Sequence, residues 1–459
     1  MAQLYTAGER KPRPGVYYRY SNAGTESTGA MDGVNAIVIN ASWGPEETVT
    51  THYDAESIEK TYGAGAGVKA AKMLIAGGAK KVFISRAKGK SAQKATATLG
   101  TVTIESKYPG KRDLKVKVQK KPGNESIKQL LVLEDTKRLE LFEFDVHVSD
   151  ESAGIKEACK NSEYITIKTA TTGVVEEKEI QLTGGADGSL TAQEYLAGFK
   201  ALEPYRYNVL TTDSTDENIS LILKTYADQA EEDGKLILGV VGVPSSVTYE
   251  ERLSKAKEYN DKKIVFFGSG YIRPNGEVID GANAINYTAG AISSTPSNQS
   301  IVHTTIDTAV DLTEKLTNEE YERAIANGLL LLSIGPDGQV WFDSGINTLT
   351  VLADNEDAGW KKIKRIKVRY ELFDRIDRVV APLIGKTNCD ADGIAAVIQA
   401  GMGVINSMIS EKKIQPGATM IEDPSNPPDV DSAWFVIQVD DIDTLEKIYL
   451  HYRFRNSAN

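Results

Sequence analysis

The sequence predicts a multi-domain α/β (α+β) protein with an inserted all-β sandwich or barrel domain and extended N- and C-terminal arms. Three observations support this fold class. Strand and helix patterns alternate over residues 31–93 and again over 185–345, as in sheets that are covered by helices. Residues 94–184 alternate apolar and polar side chains with a period of two and contain no long helix pattern. The chain begins with an irregular stretch typical of an arm and ends on a strand that has no partner after it.

Composition excludes several classes of protein. The 459 residues are enough for about three domains. A net charge of -11 argues against sequence-independent binding to nucleic acid, which needs cations to neutralise phosphates. Two cysteines, Cys159 and Cys389, are too few for a disulfide framework and indicate synthesis in a reducing cytosol. The N-terminus has no apolar signal segment and the longest aliphatic run, Leu329–Leu332, is short, so neither export nor membrane insertion is expected.

The N-terminal residues 1–30 are predicted to form an extended arm. Pro12, Pro14 and Gly15 prevent a regular helix, and the strand pattern in this stretch is confined to the aromatic run Val16–Tyr20. Compact α/β structure is predicted to begin with the buried strand Ala36–Asn40.

The insert at residues 94–184 is predicted to be a small β-sandwich or barrel. Leu114, Val116 and Val118 alternate with lysines, and Pro122-Gly123-Asn124 provides a turn signal after them.

An outer α/β domain is predicted for residues 185–345. A capping box at Thr191 and Glu194 begins a helix, and the continuous apolar run Leu236–Val243 is typical of a strand buried on both faces. The pattern favours a mixed or parallel sheet with helices on its faces.

After residue 347 the patterns predict a short strand, two helices, a proline-rich linker and two further strands. These are, in order, Ile363–Val368, Tyr370–Leu383, Asp392–Ile409, Asp423–Pro428, Ala433–Val439 and Tyr449–Arg455.

A glycine-rich segment supports the main alternative function, a nucleotide-binding α/β enzyme. Glycines at 63, 65 and 67 could let backbone amides approach a pyrophosphate at the start of a helix. The preceding residues 57–62 have a helix pattern rather than a strand pattern, so a flexible loop is the favoured interpretation. Two endings typical of phosphate loops, Gly89-Lys90-Ser91 and Gly385-Lys386-Thr387, lack the required first glycine. The four histidines are scattered singly, so we expect no catalytic residues, no cofactor and no metal.

A basic stretch at Lys361–Arg378 reverses the sign of the local charge. It holds eight basic and three acidic residues in a chain that is acidic as a whole. A solvated surface is the ordinary explanation for such a run. Here the reversal of sign favours an acidic partner surface, because charge complementarity steers and registers partners.

Several sequence blocks, taken in order, resemble those of the contractile tail sheath proteins of myophages and phage-tail-like bacteriocins, in particular those of Gram-positive phages and prophages. The blocks are RPGVYYRYSNAG (13–24), NASWGP (40–45), SKYPGKR (106–112), LTGGADGSLTAQEY (182–195), IKVRYELFDRI (366–376), NCDADG (388–393) and IDTLEKIYLHYRF (442–454). They are spread over nearly the whole chain. None of them is a catalytic fingerprint, and the likeness rests on their order.

The resemblance implies a structural subunit that stacks as hexameric rings around a tail tube. It implies that the arms add strands to neighbouring subunits, through the residues Val16, Tyr17, Tyr18, Tyr20, Tyr449, Leu450, Tyr452 and Phe454. It also implies a single contraction, without nucleotide hydrolysis, that drives the tube through the target envelope. Residues 31–93 and 346–459 would then form one inner core domain that ends in the C-terminal arm strand.

The resemblance also implies the partners and the location of the protein. The partners would be further copies of the chain, the tail tube protein, and the baseplate and tail terminator proteins, with no direct contact to nucleic acid and no membrane insertion. The basic residues that would face the tube are Lys361, Lys362, Lys364, Arg365, Lys367 and Arg369. The protein would lie in a virion tail or tail-like particle that assembles in the bacterial host cytoplasm. The sequence leaves open whether that particle is a phage, a bacteriocin or another injection device, and what the β insert does.

Overall fold

The structure is a computed structural model that describes residues 3–4, 17–18, 32–146, 150–354 and 356–454. The strands are β1 (Gln3–Leu4), β2 (Tyr17–Tyr18), β3 (Val34–Ile39), β4 (Thr50–His52), β5 (Lys81–Arg86), β6 (Thr96–Leu99), β7 (Val102–Ser106), β8 (Lys115–Lys121), β9 (Asn124–Glu134), β10 (Lys137–Asp145), β11 (Ile165–Ala170), β12 (Glu179–Gln181), β13 (Val209–Thr212), β14 (Leu238–Gly242), β15 (Ile264–Phe267), β16 (Tyr271–Ile272), β17 (Val278–Ile279), β18 (Asp311–Leu312), β19 (Leu329–Leu330), β20 (Leu332–Ile334), β21 (Val340–Phe342), β22 (Thr419–Glu422) and β23 (Phe435–Gln438).

The helices are α1 (Ala55–Tyr62), α2 (Ala66–Ala76), α3 (Glu151–Ala158), α4 (Ala192–Ala201), α5 (Glu217–Glu232), α6 (Tyr249–Tyr259), α7 (Ala282–Ser294), α8 (Asn318–Ala326), α9 (Ile363–Val380) and α10 (Ala391–Ser410). Short 3₁₀ helices at Ala358–Lys361 and Ala381–Leu383 flank α9. The predicted capping box at Thr191 and Glu194 is formed at the start of α4.

The main body is built on a seven-stranded sheet with the order β19-β15-β14-β13-β3-β5-β4. All neighbours pair in parallel except β4, which runs antiparallel to β5. Helices cover both faces, so the inner strands are buried almost throughout. One face of the sheet packs on α1, α2 and α7, and the other packs on α4, α5, α6 and α8.

This sheet corrects the predicted separation of residues 31–93 from the outer domain at 185–345. Strand β3 pairs with β5 on one side and with β13 on the other, so both segments contribute to the same sheet. The chain passes through the insert after β5 and returns on the opposite side of β3. Strand patterns predict which residues form strands, but they do not say which distant strands become neighbours.

The insert is a β-sandwich formed by the sheets β10-β9-β8-β12 and β11-β7-β6. Its core also includes Trp43, which belongs to the loop after β3 in the main body. The Trp43 ring lies edge-on to Tyr108 at 5.3 Å and stacked on Tyr164 at 6.0 Å, with the Arg112 guanidinium over it at 5.0 Å. Arg86 adds hydrogen bonds to the carbonyls of Gly44 and Pro109. The sandwich is therefore packed firmly against the sheet.

The C-terminal region differs from its prediction in two elements. The predicted strand Ile363–Val368 is wrong, because these residues form the first turns of the continuous helix α9. Ile363, Ile366 and Tyr370 are spaced three and four apart and pack in the core of the main body, which is the spacing of a helix face. The predicted linker Asp423–Pro428 instead lies in the connection of the hairpin β22–β23.

The carboxyl edge of the parallel strands, where open α/β sheets usually bind ligands, contains a partly buried carboxylate. Asp213 follows β13 and accepts hydrogen bonds from the Asn40 backbone and from the Tyr195 hydroxyl, both at 2.7 Å. A β-carbon on Gly67 would lie 2.4 Å from Asp213 Oδ2. Gly67 is therefore part of the first turn of α2 and allows close packing there, whereas the sequence favoured a flexible loop. Burial raises the pKa of Asp213 to about 6.

We expect Asp213→Asn to remove part of the pH dependence of stability. The folded-state pKa of about 6 lies above the ordinary value of 3.8, so the folded state binds this proton more tightly than the unfolded chain does. The stability that this proton provides is present at low pH and is lost as the pH rises from about 4 to about 6. The variant should therefore gain roughly 3 kcal/mol relative to the natural chain between pH 4 and pH 7.

Urea unfolding at a series of pH values measures this difference. Asp337→Asn, in an exposed hairpin turn, is the matched control and should show no such trend. A free-energy difference between Asp213→Asn and the natural chain that is the same at both ends of the pH range would contradict the expectation.

Candidate functional site

The candidate site is the C-terminal layer, which consists of α9, α10, the hairpin β22–β23 and the chain that follows the hairpin. That following chain has two parts, the root segment at residues 441–446 and the terminal segment at residues 447–454. The two segments differ sharply in how they contact the rest of the protein.

The terminal segment is exposed along its whole length. Its large apolar side chains include Tyr449 at 89% exposure, Leu450 at 69%, Tyr452 at 72% and Phe454 at 93%. These residues form no strand ladder with any described residue, so the predicted strand Tyr449–Arg455 has no partner within the described chain, and Arg455 itself lies outside it. Contiguous apolar surface of this kind usually marks an interaction site.

The N-terminal arm is described at two short strands. Tyr17 and Tyr18 form β2, which pairs in parallel with Gln3 and Leu4 of β1. The other two predicted arm residues, Val16 and Tyr20, lie outside the described residues.

The hairpin β22–β23 packs on α10 and helps to enclose a small apolar core. The buried residues of this core are Val368, Leu372, Val404, Ile405, Met408, Ile414 and Met420. A larger group is only partly buried, including Phe435, Ile437 and Val439 on the second strand. Within the described residues no third strand pairs with the hairpin, so both of its edges keep unpaired backbone groups. A two-stranded sheet is marginal in water, and this core is therefore incomplete on its hairpin side.

Helix α10 presents an uncharged outer face. No Asp, Glu, Lys or Arg occurs from Gly393 to Ser410, and Ala395, Gln399, Gly403 and Asn406 lie exposed on one side. By length and composition alone, α10 is apolar enough to cross a bilayer. In the fold its other side packs on α9 and on β22, and Gly401 approaches Met420 so closely that a β-carbon would clash.

The six predicted tube-facing residues do not form an open basic surface in the isolated subunit. Lys364 and Lys367 are buried, with 2% and 8% exposure, and Lys361, Lys362, Arg365 and Arg369 are partly buried. Lys361 Nζ donates a hydrogen bond to the Thr350 carbonyl at 2.7 Å.

Lys367 lies at the contact between α9 and the main body. Its Nζ donates to the Ile292 carbonyl at 2.7 Å and lies 3.7 Å from Asp32. Burial lowers the pKa of Lys367 to about 8.

Acidic residues of the root segment pair with Lys362, Arg365 and Arg369. Lys362 Nζ lies 2.7 Å from Asp443 and 2.8 Å from Glu446. Arg365 makes a bidentate pair with Asp441, at 2.5 and 2.6 Å, and Arg369 also contacts that carboxylate at 3.1 Å. Burial alone would raise the pKa of Asp441, but its hydrogen bond to Arg365 and the charge of Arg369 outweigh burial and lower it.

Asp441, Asp443 and Glu446 were not predicted from the sequence as functional residues. The reversal of charge was considered only within residues 361–378, although an acidic run is present at 440–446. Pairing a basic run with an acidic run elsewhere in the chain would have suggested this contact.

The second half of α9 is held by another group of charges. Arg375 pairs with Glu411 at 2.6 Å, and Lys413 pairs with Glu371 at 2.8 Å. Burial alone would raise the pKa of Glu411, but hydrogen bonds from Arg375 and Lys413 lower it to about 2. Over the described ranges, no group of three or more His, Cys, Asp and Glu side chains is arranged to hold a metal ion.

Comparison with known proteins gives the same family for most of the chain. The family model for the phage tail sheath protein central domain matches residues 188–348, and the model for the phage tail sheath protein β-sandwich domain matches residues 90–187. Two Bacillus subtilis proteins are each 20% identical to the chain, YqbK over 434 residues and the phage-like element PBSX protein XkdK over 438 residues. Each alignment covers 89% of this chain and 88% of the relative.

Solved structures share the fold. The sheath tail protein of Desulfitobacterium hafniense matches with a TM-score of 0.73 at 21% identity, over 93% of this chain and all of that one. The sheath tail protein of Listeria innocua matches with a TM-score of 0.69 at 20% identity, over 89% of this chain and 95% of that one. The contracted helical sheath of the anti-feeding prophage matches with a TM-score of 0.55 at 8% identity, over 97% of this chain and all of that one. With two family models that together span residues 90–348, the chain belongs to the phage tail sheath protein family.

Proposed function

We propose that this chain is the structural subunit of a contractile sheath that polymerises as stacked hexameric rings around a tail tube. The observation that carries the proposal is the terminal segment, which exposes five large apolar side chains and has no partner strand in the described chain. The similarity to sheaths solved in the contracted state supports a sheath that shortens once. Its partners would be the tube, baseplate and tail terminator proteins, and assembly would take place in the bacterial host cytoplasm.

The acceptor for the terminal segment is, in this proposal, the hairpin β22–β23 of a neighbouring subunit. Leu450, Tyr452 and Phe454 share one face of an extended strand because side chains alternate along it. A strand added to the edge of the hairpin would place that face beside the partly buried Phe435 and Ile437. The added strand would thus complete both the backbone pairing and the apolar core.

The magnitudes favour such an exchange. Each new main-chain hydrogen bond contributes about 0.5–1.5 kcal/mol, and each fully buried large apolar side chain contributes about 1.5–3 kcal/mol. Ordering a free strand costs about 1–2 kcal/mol per residue. Backbone pairing alone would therefore barely offset the loss of entropy, so the apolar side chains decide the outcome.

In this proposal contraction needs no nucleotide and no enzymatic activity. The energy would be stored during assembly, in an extended lattice held behind a kinetic barrier. The sandwich and main body are joined through Trp43 and Arg86, which favours motion of the two as one rigid body. The arms then absorb the change in position between subunits.

The tube would lie against the N-terminal half of α9. Four of the six basic residues there contact acidic side chains: Lys362 contacts Asp443 and Glu446, Arg365 contacts Asp441, Lys367 contacts Asp32, and Arg369 contacts Asp357 and Asp441. Lys361 donates to a carbonyl rather than to a carboxylate, so its charge remains available to an acidic tube surface. This makes Lys361 the best single probe of the tube-facing assignment.

We expect the triple variant Leu450→Ser, Tyr452→Ser and Phe454→Ser to remain folded and to lose polymerisation. The three side chains are exposed in the subunit, so its free energy of unfolding should change by less than about 0.5 kcal/mol. Deleting residues 449–459 should have the same effect. Urea unfolding of the monomer and negative-stain electron microscopy of concentrated protein measure the two outcomes.

Val174→Ser with Val278→Ser is the matched control, because both valines are exposed outside the C-terminal layer. Unchanged polymers in the triple variant would remove the terminal segment from the lattice contact. Loss of cooperative unfolding would show instead that the segment stabilises its own subunit.

We expect Lys361→Glu to weaken co-sedimentation with cognate tail tubes by roughly tenfold at low salt, about 1.4 kcal/mol. The difference from the natural chain should shrink at high salt, since screening shortens the range of exposed charges. Lys315→Glu, at an exposed position before α8, is the control. Equal tube binding by Lys361→Glu and the natural chain at every salt concentration would exclude a tube-facing role for this residue.

A further inference from the structure

The charges on α9 and on the root segment match in spacing as well as in sign. Lys362, Arg365 and Arg369 are separated by three and four positions and therefore lie on one side of the helix. Asp441 and Asp443 are two positions apart, and side chains at that spacing share one side of an extended chain. Each of the three cations contacts at least one carboxylate of the root segment.

Backbone contacts also hold the root segment and the residue before it. The Ile442 N–H donates to the Lys413 carbonyl at 2.9 Å, and the Gln415 N–H donates to the Asp440 carbonyl at 2.8 Å. The root segment is therefore held both by α9 and by the loop that follows α10. The Asp441 side chain is only 7% exposed, so this pair is screened by solvent much less than a surface pair is.

The contacts between the root segment and the rest of the subunit end at Glu446. Its carboxylate accepts from Lys362 and lies 3.3 Å from the Ser300 hydroxyl. From Lys447 onward every described residue is exposed. The boundary between held and free chain thus coincides with the last ion pair.

We propose that Lys362, Arg365 and Arg369 with Asp441, Asp443 and Glu446 form an electrostatic clasp that fixes the point at which the C-terminal arm leaves its own subunit. With the clasp closed, the free arm begins at Lys447. With the clasp open, the free chain would begin near Val439, at the end of β23, and its reach would grow by about 3.3 Å for every residue released. The clasp thus sets the length of the arm and directs any pull on the terminal segment into α9.

The different chemistry of the terminal and root segments suits a clasp that sets the length of the arm. The terminal segment is apolar and gains by leaving water for a neighbouring subunit, whereas the root segment is acidic and is already satisfied by its own cations. A neighbour that binds the terminal segment therefore has no comparable gain from binding the root segment. The role in setting arm length rests on the strand exchange proposed above, but the clasp itself is a property of the single subunit.

Hydrogen–deuterium exchange of the monomeric full chain tests the clasp. Lys362→Glu places a third carboxylate beside Asp443 and Glu446, and we expect exchange in peptides covering residues 441–446 to accelerate by about tenfold or more. Adding Asp443→Lys restores opposite charges at the same place and should bring the rate back to within about twofold of the natural chain. Lys386→Glu, at an exposed position with the same change of charge, should have no effect.

Two results would overturn the clasp. One is unchanged exchange of residues 441–446 in Lys362→Glu. The other is acceleration that spreads equally through α9 and the hairpin β22–β23, because that pattern would mean unfolding of the whole layer rather than release of one segment.

Failure of the clasp and failure of strand exchange are distinguishable. If the triple variant of the terminal segment still polymerises, strand exchange fails while the exchange rates of the monomer still decide the clasp. If Lys362→Glu releases the root segment but polymers keep the same ring spacing and yield, the clasp exists but does not set the length of the arm.

Discussion

Helix α9 is the element on which the C-terminal half of the molecule depends, because it belongs to two cores at once. Ile363, Ile366 and Tyr370 pack into the core of the seven-stranded sheet, whereas Val368 and Leu372 pack into the small core under α10 and the hairpin. A helix buried on two sides has little room for cations, yet α9 carries several. Buried cations are tolerated only where carboxylates or carbonyls surround them, and removing one partner of a buried pair typically costs about 3–5 kcal/mol. The contacts of α9 with Asp441, Glu411 and the Ile292 carbonyl are therefore conditions for the packing of the whole layer.

The sequence predicted local features well and long-range pairings poorly. The buried strand at Ala36–Asn40, the capping box at Thr191 and the period-two insert all depend on residues close together in the chain, and the structure has each of them. The predicted strand at Ile363–Val368 is wrong, because the apolar residues 363, 366 and 370 have the three- and four-residue spacing of a helix face. The pairing of Arg365 with Asp441 spans 76 positions, and no local pattern specifies which charged runs meet. The two arms stay predictions, which rest on aromatic runs that are visible in the sequence itself.

The carboxyl edge of the main sheet shows why a fold does not by itself imply an activity. In the main sheet β5 lies on one side of β3, whereas β13, β14 and β15 lie in turn on the other side. The strand order therefore reverses between β3 and β13, and many α/β proteins bind nucleotides at such a point. Here the space beside the first turn of α2 is taken by the Asp213 carboxylate, and Gly67 is needed to let that carboxylate approach. A negative charge at the start of a helix is favourable whether it comes from a phosphate or from the protein itself. Gly67 therefore has a sufficient explanation in packing, and Gly63 and Gly65 have one in their positive φ angles of 73° and 149°. The fold is thus separate from the function it often carries.

Two kinds of interaction are divided between the two halves of the C-terminal chain. The root segment is held by charge pairs whose strength depends on geometry, because a bidentate contact such as Arg365 with Asp441 requires both planar groups to face each other. The terminal segment exposes apolar side chains, whose burial is favourable and non-directional. Directional charge pairs suit a contact that must keep its position. Apolar contacts suit one that must persist while the neighbouring subunits rotate. In the proposed sheath, placing the directional contacts at the root and the non-directional ones at the tip would allow subunits to shift against one another while each arm still leaves its own subunit at the same residue.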